Sequence, residues 1–192
     1  MRVKICGITR VEDAVFAEKA GADAIGVVMC SPTSRRSVSE SRAREIFGAL
    51  GPFVTRVVVT HTESKSDLEK ILALKPDAIQ ISHPFVFEKP PGVRVLRVIG
   101  RGDKVPTECS AVIVDESMGA GRLFDRAFAR EVVKTSAVPV ILAGGLNPEN
   151  VGDAIRECRP YAVDVASGVE TEPGIKDHTK IAAFIAAARE AL

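Results

Sequence analysis

The chain has 192 residues, 46% of them apolar, which suits one compact domain with a sizeable core. Its 26 Lys and Arg residues against 25 Asp and Glu residues leave no excess positive charge to hold a nucleic-acid backbone or an anionic membrane. No apolar stretch reaches the roughly 18 residues that a membrane span needs. The sequence therefore predicts a cytoplasmic protein that binds neither nucleic acid nor membrane.

The four cysteines are widely spaced, and no histidine stands near them at metal-ligand spacing. This pattern is typical neither of a zinc site nor of a disulfide framework. We expect free thiols and no bound metal. The cysteines are Cys6, Cys30, Cys109 and Cys158.

Eight short runs rich in β-branched residues recur along the chain, and most of them are continuously apolar. Continuous apolar character is typical of parallel strands that helices cover. The runs are residues 3–5, 24–28, 54–59, 78–81, 93–99, 111–114, 138–142 and 162–165.

Helical periodicity occupies several of the intervals between these runs, at residues 43–50, 68–72, 151–158 and 181–188. Ser39, Ser66 and Asn147 are the predicted N-caps of three of these helices. The intervals 82–92 and 100–110 contain proline and glycine and leave no room for a helix of ordinary length.

Eight βα modules in unbroken order predict an α/β fold, a single (β/α)8 TIM barrel over residues 1–192 with some shortened or missing helices. An open doubly wound sheet is the alternative. Barrels of this kind typically take about 250 residues, so we expect trimmed helices in this shorter chain.

The loops after the strands are the expected place for chemistry in such a barrel. Cys6 follows the first strand and Asp115 follows the sixth. Each has a plain structural alternative, because free cysteines are often inert core residues and aspartates often form surface turns.

Glycine-bearing turns follow the last two strands, with Gly144 and Gly145 after the seventh and Ser167 and Gly168 after the eighth. This is where many barrels bind phosphate through backbone amides, although ordinary tight turns would also use glycine. A further glycine segment, residues 119–122, is a weaker candidate for the same task.

Two further features involve charged side chains. Arg36, in the loop after the second strand, is a candidate for binding an anionic substrate, or else a solvated surface charge. Lys4 and Asp164 lie on the first and eighth strands, which are neighbours in a closed barrel. We expect these two residues to pair inside the barrel.

The motifs that carry these residues together resemble the phosphoribosylanthranilate isomerase family of tryptophan biosynthesis. They are Lys4-Ile5-Cys6-Gly7-Ile8-Thr9, Asp23-Ala24-Ile25-Gly26, Ser34-Arg35-Arg36, Val114-Asp115, the stretch from Gly144 to Val151, the stretch from Val163 to Glu170, and the stretch from Pro173 to Asp177.

The resemblance implies a cofactor-free Amadori rearrangement of a small phosphosugar, with Cys6 as general base and Asp115 as general acid. It implies that Arg36 holds the anthranilate end and that Asp164 lies near the ribose. The phosphate would be held at Gly144, Gly145, Ser167 and Gly168. We expect a monomer or a homodimer. Because a thiolate is the base, we also expect kcat/KM to rise with pH through an apparent pKa between about 6 and 8.5.

The chain departs from the family pattern at two places. Gln80-Ile81-Ser82-His83 stands where the family usually has Gln-Leu-His-Gly, and Met118-Gly119-Ala120-Gly121-Arg122 stands where it usually has Gly-Gly-x-Gly-Lys. Two other classes of function remain as alternatives. The related histidine-pathway isomerase would be expected to carry an aspartate in place of Cys6, and a non-catalytic phosphate-binding module would have no use for Cys6 and Asp115.

Overall fold

The structure is a computed structural model that describes residues 1–85, 92–115 and 125–191. Eight parallel strands form a closed barrel in chain order. They are β1 (Arg2–Ile5), β2 (Ala24–Val28), β3 (Thr55–Thr60), β4 (Ala78–Ile81), β5 (Arg94–Ile99), β6 (Ala111–Val114), β7 (Val140–Leu142) and β8 (Ala162–Val165).

The predicted α/β barrel is confirmed, and the open doubly wound sheet is wrong because β1 pairs with β8. All eight strands lie where the apolar runs predict them, to within two residues. The largest difference is at β7, which begins after Pro139 rather than at Val138. Proline has no N–H group to donate to the neighbouring strand.

Six helices surround the barrel in the described ranges: α1 (Val11–Lys19), α2 (Glu40–Gly48), α3 (Lys65–Ala73), α4 (Arg126–Thr135), α5 (Val151–Cys158) and α6 (His178–Glu190). Residues 100–110 contain no helix, as the sequence predicts, whereas residues 82–92 are described only in part. None of the helices in these ranges has both the length and the apolar character needed to cross a membrane.

Two helices, α1 and α4, are absent from the sequence prediction. The buried residues of α1 are Asp13, Ala14 and Ala17, and those of α4 are Ala129 and Val132. Small and polar residues on the buried face of α1 leave a weak apolar pattern, so periodicity alone does not reveal that helix. In α4, by contrast, a helical signal is present, since Phe128, Ala129, Val132 and Val133 lie on one face.

One of the three predicted helix caps is correct. The Ser39 side chain accepts a hydrogen bond from the backbone of Arg42 at the start of α2. Ser66 lies inside α3, which Ser64 caps instead. Asn147 precedes α5 by a full turn, and its side chain accepts from the backbone amide of Asn150 within that turn.

A small antiparallel hairpin follows β8. A short 3₁₀ helix (Ser167–Val169) leads into β9 (Glu170–Glu172), which pairs with β10 (Ile175–Lys176). Gly174 turns the chain between the two strands with a φ of +89°, a conformation that favours glycine. This hairpin brings two charged residues of the sequence, Glu170 and Lys176, against the barrel mouth.

The apolar core has two layers. One layer packs the outer faces of the strands against the helices, and it includes Val3, Ile5 and Phe184. The other fills the barrel interior and includes Cys6 and Ile113. Side chains alternate along a strand, so β1 points Val3 and Ile5 outward while Lys4 lies inside the barrel, below Cys6.

Candidate active site

A cavity opens at the carboxyl ends of the strands, and the predicted site residues meet there. All of them except Gly168 line it: Cys6, Arg36, Asp115, Gly144, Gly145, Asp164 and Ser167. These residues come from five different strand ends that lie far apart in the sequence. Barrel closure therefore brings them to one place, as expected for this fold.

Lys4 and Asp164 pair inside the barrel below this cavity. They are register partners on β1 and β8, and Lys4 Nζ lies 2.7 Å from Asp164 Oδ2. Lys4 Nζ also donates to Gln80 Oε1 at 2.8 Å. Asp164 Oδ1 is buried and accepts no hydrogen bond from any residue that the structure describes. It is an acceptor that can serve a hydroxyl group in the cavity.

Cys6 lies directly above this ion pair. Burial raises the pKa of the Cys6 thiol, and the positive charge of Lys4 offsets only part of that effect. This argues against the range of about 6 to 8.5 that the sequence predicts for the free enzyme. The cause lies in the tertiary structure, because Cys6 is only 8% exposed and water therefore solvates its thiolate poorly.

Gly26 on the adjacent strand β2 makes room for Cys6. A Cβ atom at Gly26 would lie 2.9 Å from Cys6 Sγ and 3.1 Å from Lys4 Cε. Contacts this short would force the thiol or the lysine side chain to move. The glycine therefore helps to set the position of the thiol.

Asp115 enters the cavity from β6, three strands away from β1 around the barrel. Its backbone amide donates to Ile99 O at the end of β5. Burial raises the pKa of Asp164, and the negative charge of Asp115 adds to that rise. Asp115 is thus close enough to Asp164 to influence the protonation of Asp164.

Arg36 reaches the cavity from the loop after β2 and forms a two-point ion pair with Glu170. Arg36 Nε lies 2.9 Å from Glu170 Oε1, and Nη2 lies 2.7 Å from Oε2. Burial would raise the pKa of Glu170, but the Arg36 hydrogen bonds and the charge of Lys176 hold that pKa below its usual value. Arg36 is therefore a fixed cation rather than a solvated surface charge.

The two glycine turns lie side by side at the end of β7 and β8. Gly144 and Gly145 have φ angles of +87° and +64°. A side chain at Gly168 would collide with the carbonyl group of Leu146, so this glycine allows the two loops to pack closely. Residues 119–122, the weaker phosphate candidate, lie outside the described residues.

The backbone amides of these turns are available to a ligand. Within the described ranges, the amides of Gly144, Gly145, Ser167 and Gly168 donate to no other residue. Adjacent unpaired amides are what a bound phosphate requires. The same ranges hold no cluster of three or more His, Cys, Asp or Glu side chains suited to a metal ion.

The sequence analysis assigns no role to four polar residues that lie in or near the cavity. Gln80 and His61 line the cavity. Glu170, in the hairpin, binds Arg36, and Lys176 in turn binds Glu170. A signal for the hairpin exists, since Pro173-Gly174 between two charged, β-prone segments is typical of a tight turn. His61 donates or accepts a hydrogen bond with Ser82, one of the residues that departs from the family pattern.

Comparison with known proteins places this site in a family. Residues 3–187 match the family described as N-(5'-phosphoribosyl)anthranilate (PRA) isomerase. A protein of that name from Methanoregula boonei is 85% identical over 191 residues, which cover 100% of this chain and 98% of the relative. Another from Pseudomonas fluorescens is 44% identical and covers 98% of each chain.

Solved structures agree with the sequence relatives. The phosphoribosyl anthranilate isomerase of Thermus thermophilus superposes with a TM-score of 0.87 at 36% identity, over 100% of both chains. An isomerase of the same name, in complex with reduced 1-(o-carboxyphenylamino)-1-deoxyribulose 5-phosphate, has a TM-score of 0.81 at 36% identity over 99% of both chains. With matches of this extent in sequence and in fold, the chain belongs to the N-(5'-phosphoribosyl)anthranilate isomerase family.

Proposed function

We propose that this chain converts N-(5-phosphoribosyl)anthranilate to 1-(2-carboxyphenylamino)-1-deoxyribulose 5-phosphate by an Amadori rearrangement that needs no cofactor. The observation that carries the proposal is the placement of Cys6 and Asp115 in one cavity, on β1 and β6. The two glycine turns of β7 and β8 lie between these strands around the barrel. A sugar phosphate anchored at the turns would lie between a thiol and a carboxyl group.

Asp115 acts as the general acid in this scheme. Its carboxylic acid form protonates the furanose ring oxygen, the bond between C1 and that oxygen breaks, and the nitrogen lone pair forms an iminium at C1. The cavity also contains Asp164, whose pKa is raised in part by the negative charge of Asp115, so the two carboxyl groups lie near each other.

Cys6 acts as the general base. Its thiolate removes the proton from C2, and the electron pair of that C–H bond forms a C1–C2 double bond while the iminium nitrogen becomes neutral. Transfer of the enol proton from the C2 hydroxyl and protonation of C1 then give the ketose. C1 is reduced and C2 is oxidised within one molecule, so no external oxidant or reductant is needed.

The high pKa of the buried thiol fits this order of events. Because burial raises its pKa, the Cys6 thiol of the free enzyme is mainly protonated at pH 7. The iminium formed after ring opening is a cation next to the thiol, and a nearby cation lowers a thiol pKa. The fraction of Cys6 present as thiolate would therefore rise once the iminium has formed, which is when the C2 proton must be removed.

The remaining residues bind the substrate. The amides of Gly144, Gly145, Ser167 and Gly168 hold the phosphate, and Asp164 Oδ1 accepts a hydrogen bond from a ribose hydroxyl. Arg36 faces the anthranilate carboxylate across the cavity. Except for Gly168, which follows the cavity residue Ser167, each assigned residue lines the cavity and is supported by an available hydrogen-bonding group.

The location and assembly of the enzyme are part of the proposal. A cytoplasmic location suits four cysteines of which none is joined in a disulfide. We expect a monomer or a homodimer. Phe53, which is 97% exposed beside a second cavity at the amino-terminal face of the barrel, is the surface feature that favours a dimer. Sedimentation of the wild type and of Phe53→Ser distinguishes the two states.

The experiment that tests the activity incubates the purified chain with N-(5-phosphoribosyl)anthranilate and measures the ketose product by chromatography. Parallel reactions contain the substrate of the related histidine-pathway isomerase. Conversion of the first substrate is expected. Conversion of the second substrate alone would favour the histidine-pathway alternative, and phosphosugar binding without any conversion would favour a binding module.

A further inference from the structure

Glu170 is the residue that fixes the direction of Arg36. The two parallel hydrogen bonds from Nε and Nη2 of Arg36 occupy both oxygens of the Glu170 carboxylate. A two-point contact of this kind holds the plane of the guanidinium group, which a single contact does not. The Glu170 side chain is 5% exposed, so water competes little for either oxygen.

Glu170 is itself held by its own hairpin. Lys176 Nζ lies 2.8 Å from Glu170 Oε1, and the backbone amide of Gly174 donates to the same oxygen at 3.1 Å. Lys176 also donates to the carbonyl oxygen of Ala166 at 3.0 Å. The carboxylate is therefore tied to β10 and to the segment that leads into the phosphate turn.

The three charged residues Arg36, Glu170 and Lys176 together carry a net charge of +1. Burial lowers the pKa of Lys176, but the Glu170 carboxylate 2.8 Å away favours the protonated form. In that form Arg36 and Lys176 carry one positive charge each, and Glu170 carries one negative charge. A lone glutamate would neutralise Arg36 and weaken its attraction for an anion. With Lys176 fully buried against the same carboxylate, Arg36 is oriented by Glu170 while the group as a whole stays cationic.

Two of the three guanidinium nitrogens of Arg36 bind Glu170, which leaves Nη1 available to a ligand. None of the described residues accepts a hydrogen bond from Arg36 Nη1. Gly7, with a φ of +73°, allows the side chain to cross the loop after β1, because a Cβ atom there would lie 2.5 Å from Arg36 Cδ. The guanidinium thus reaches the cavity by a route that has little freedom.

We propose that Glu170 is a positioning residue that holds Arg36 so that Nη1 meets the carboxylate of the anthranilate ring. This inference rests on the proposed function. A cation that is oriented before binding loses less conformational entropy when the substrate arrives. The contact is far from the bonds that break, so it stabilises the bound substrate and the transition state alike.

The test compares two ligands that differ only in the group that Arg36 would meet. They are reduced 1-(o-carboxyphenylamino)-1-deoxyribulose 5-phosphate and the same compound without the ring carboxylate. Calorimetry measures their affinities for the wild type, for Glu170→Gln, and for Glu170→Gln in an Arg36→Met background. Glu172→Gln is the matched control, because it makes the same charge change at an exposed position of the same hairpin.

We expect Glu170→Gln to weaken the carboxylate ligand about tenfold and to change the affinity for the other ligand less than about twofold. The loss should vanish in the Arg36→Met background. Glu170→Asp, which keeps the charge and shortens the side chain, should give an intermediate loss. In turnover, the KM for N-(5-phosphoribosyl)anthranilate should rise while kcat changes little.

Several outcomes overturn the inference. If Glu170→Gln weakened the binding of both ligands equally, Glu170 would have a general structural role. The same would follow if the loss of affinity persisted in the Arg36→Met background. A wild type that does not distinguish the two ligands would remove the Arg36 contact and the role of Glu170 with it. In contrast, a wild type with the expected ligand preference but no turnover would refute the proposed function and leave the positioning role intact.

Discussion

Lys4 on β1 and Asp164 on β8 form an ion pair of 2.7 Å in the interior of the barrel, below the Cys6 thiol. Burial lowers the pKa of Lys4, but the charge and hydrogen bond of Asp164, together with Cys6, raise it by more, so Lys4 stays protonated. The pair supplies a positive charge beneath the proposed base. It also leaves one Asp164 oxygen for the substrate.

The first prediction concerns the stability of this pair. Lys4→Met leaves the Asp164 carboxylate buried without its cation, so the free energy of unfolding should fall by about 3–5 kcal/mol. The double variant Lys4→Met/Asp164→Leu should recover most of this loss, because no charge remains buried. Urea denaturation measures both values.

The exposed pair between Arg44 and Glu40 is the control for this experiment. Arg44→Met should cost less than about 1 kcal/mol, since water solvates the partner that remains. If Lys4→Met lowered the free energy of unfolding as little as Arg44→Met does, the Lys4–Asp164 pair would not be ionised.

The second prediction tests the proton-transfer roles. Cys6→Ala and Asp115→Asn should each lower kcat by at least about 100-fold while the affinity for the reduced product analogue changes little. Stopped assays and calorimetry measure the two quantities. Cys30→Ser, at a thiol outside the cavity lining, is the control and should keep its kcat. Near-native turnover by Cys6→Ala would eliminate the thiol as the base.

The third prediction concerns the ionisation of Cys6. A raised pKa means less thiolate at any given pH, so alkylation of Cys6 by iodoacetamide should be slow at pH 7 and should rise with pH through a midpoint higher than that of an unstructured thiol. Peptide mass spectrometry follows the reaction at each cysteine. The reduced product analogue should protect Cys6. A midpoint below about 8.5 would contradict the effect of burial.

The fourth prediction concerns the space that Gly26 provides. Gly26→Ala should lower kcat by about 10- to 100-fold, because the new methyl group would displace the Cys6 thiol or the Lys4 side chain. The matched control is Gly48→Ala at the end of α2, where an added Cβ would meet no atom within 4 Å. Gly48→Ala should keep the wild-type kcat, and equal activity of both variants would argue against a positional requirement at Cys6.

The fifth prediction concerns metals. Exhaustive treatment with a chelator should leave kcat and KM unchanged, since every proposed step is a proton transfer between the substrate and Cys6, Asp115 or solvent. Loss of activity that zinc restores would refute the scheme.

The strand order and the location of the site follow from local features of the sequence. In this chain, eight short apolar runs bounded by turn residues form covered parallel strands, and with short connections between them the strands close into a barrel. The residue after each strand then lies at the mouth. Cys6, Asp115 and the glycine turns could be located in this way, because their position depends only on the strand that precedes them.

The pairing of Lys4 with Asp164 was also within reach of the sequence, since closure makes the first and last strands neighbours. The contact between Arg36 and Glu170 was not, because it joins residues 134 positions apart through a hairpin and a loop. No local pattern encodes such a contact. It depends on how the hairpin packs against the barrel mouth.

The sequence by itself determined the elements whose cause is local: strands from apolar runs, turns from glycine and proline, and most of the helices from their apolar periodicity. Tertiary structure decided the properties that depend on surroundings. The helix α1 buries two alanines and an aspartate, so only packing against the barrel reveals it. The pKa of Cys6 is high because closure of the barrel removes water from the thiol, and desolvation is a property of the folded surroundings rather than of the residue.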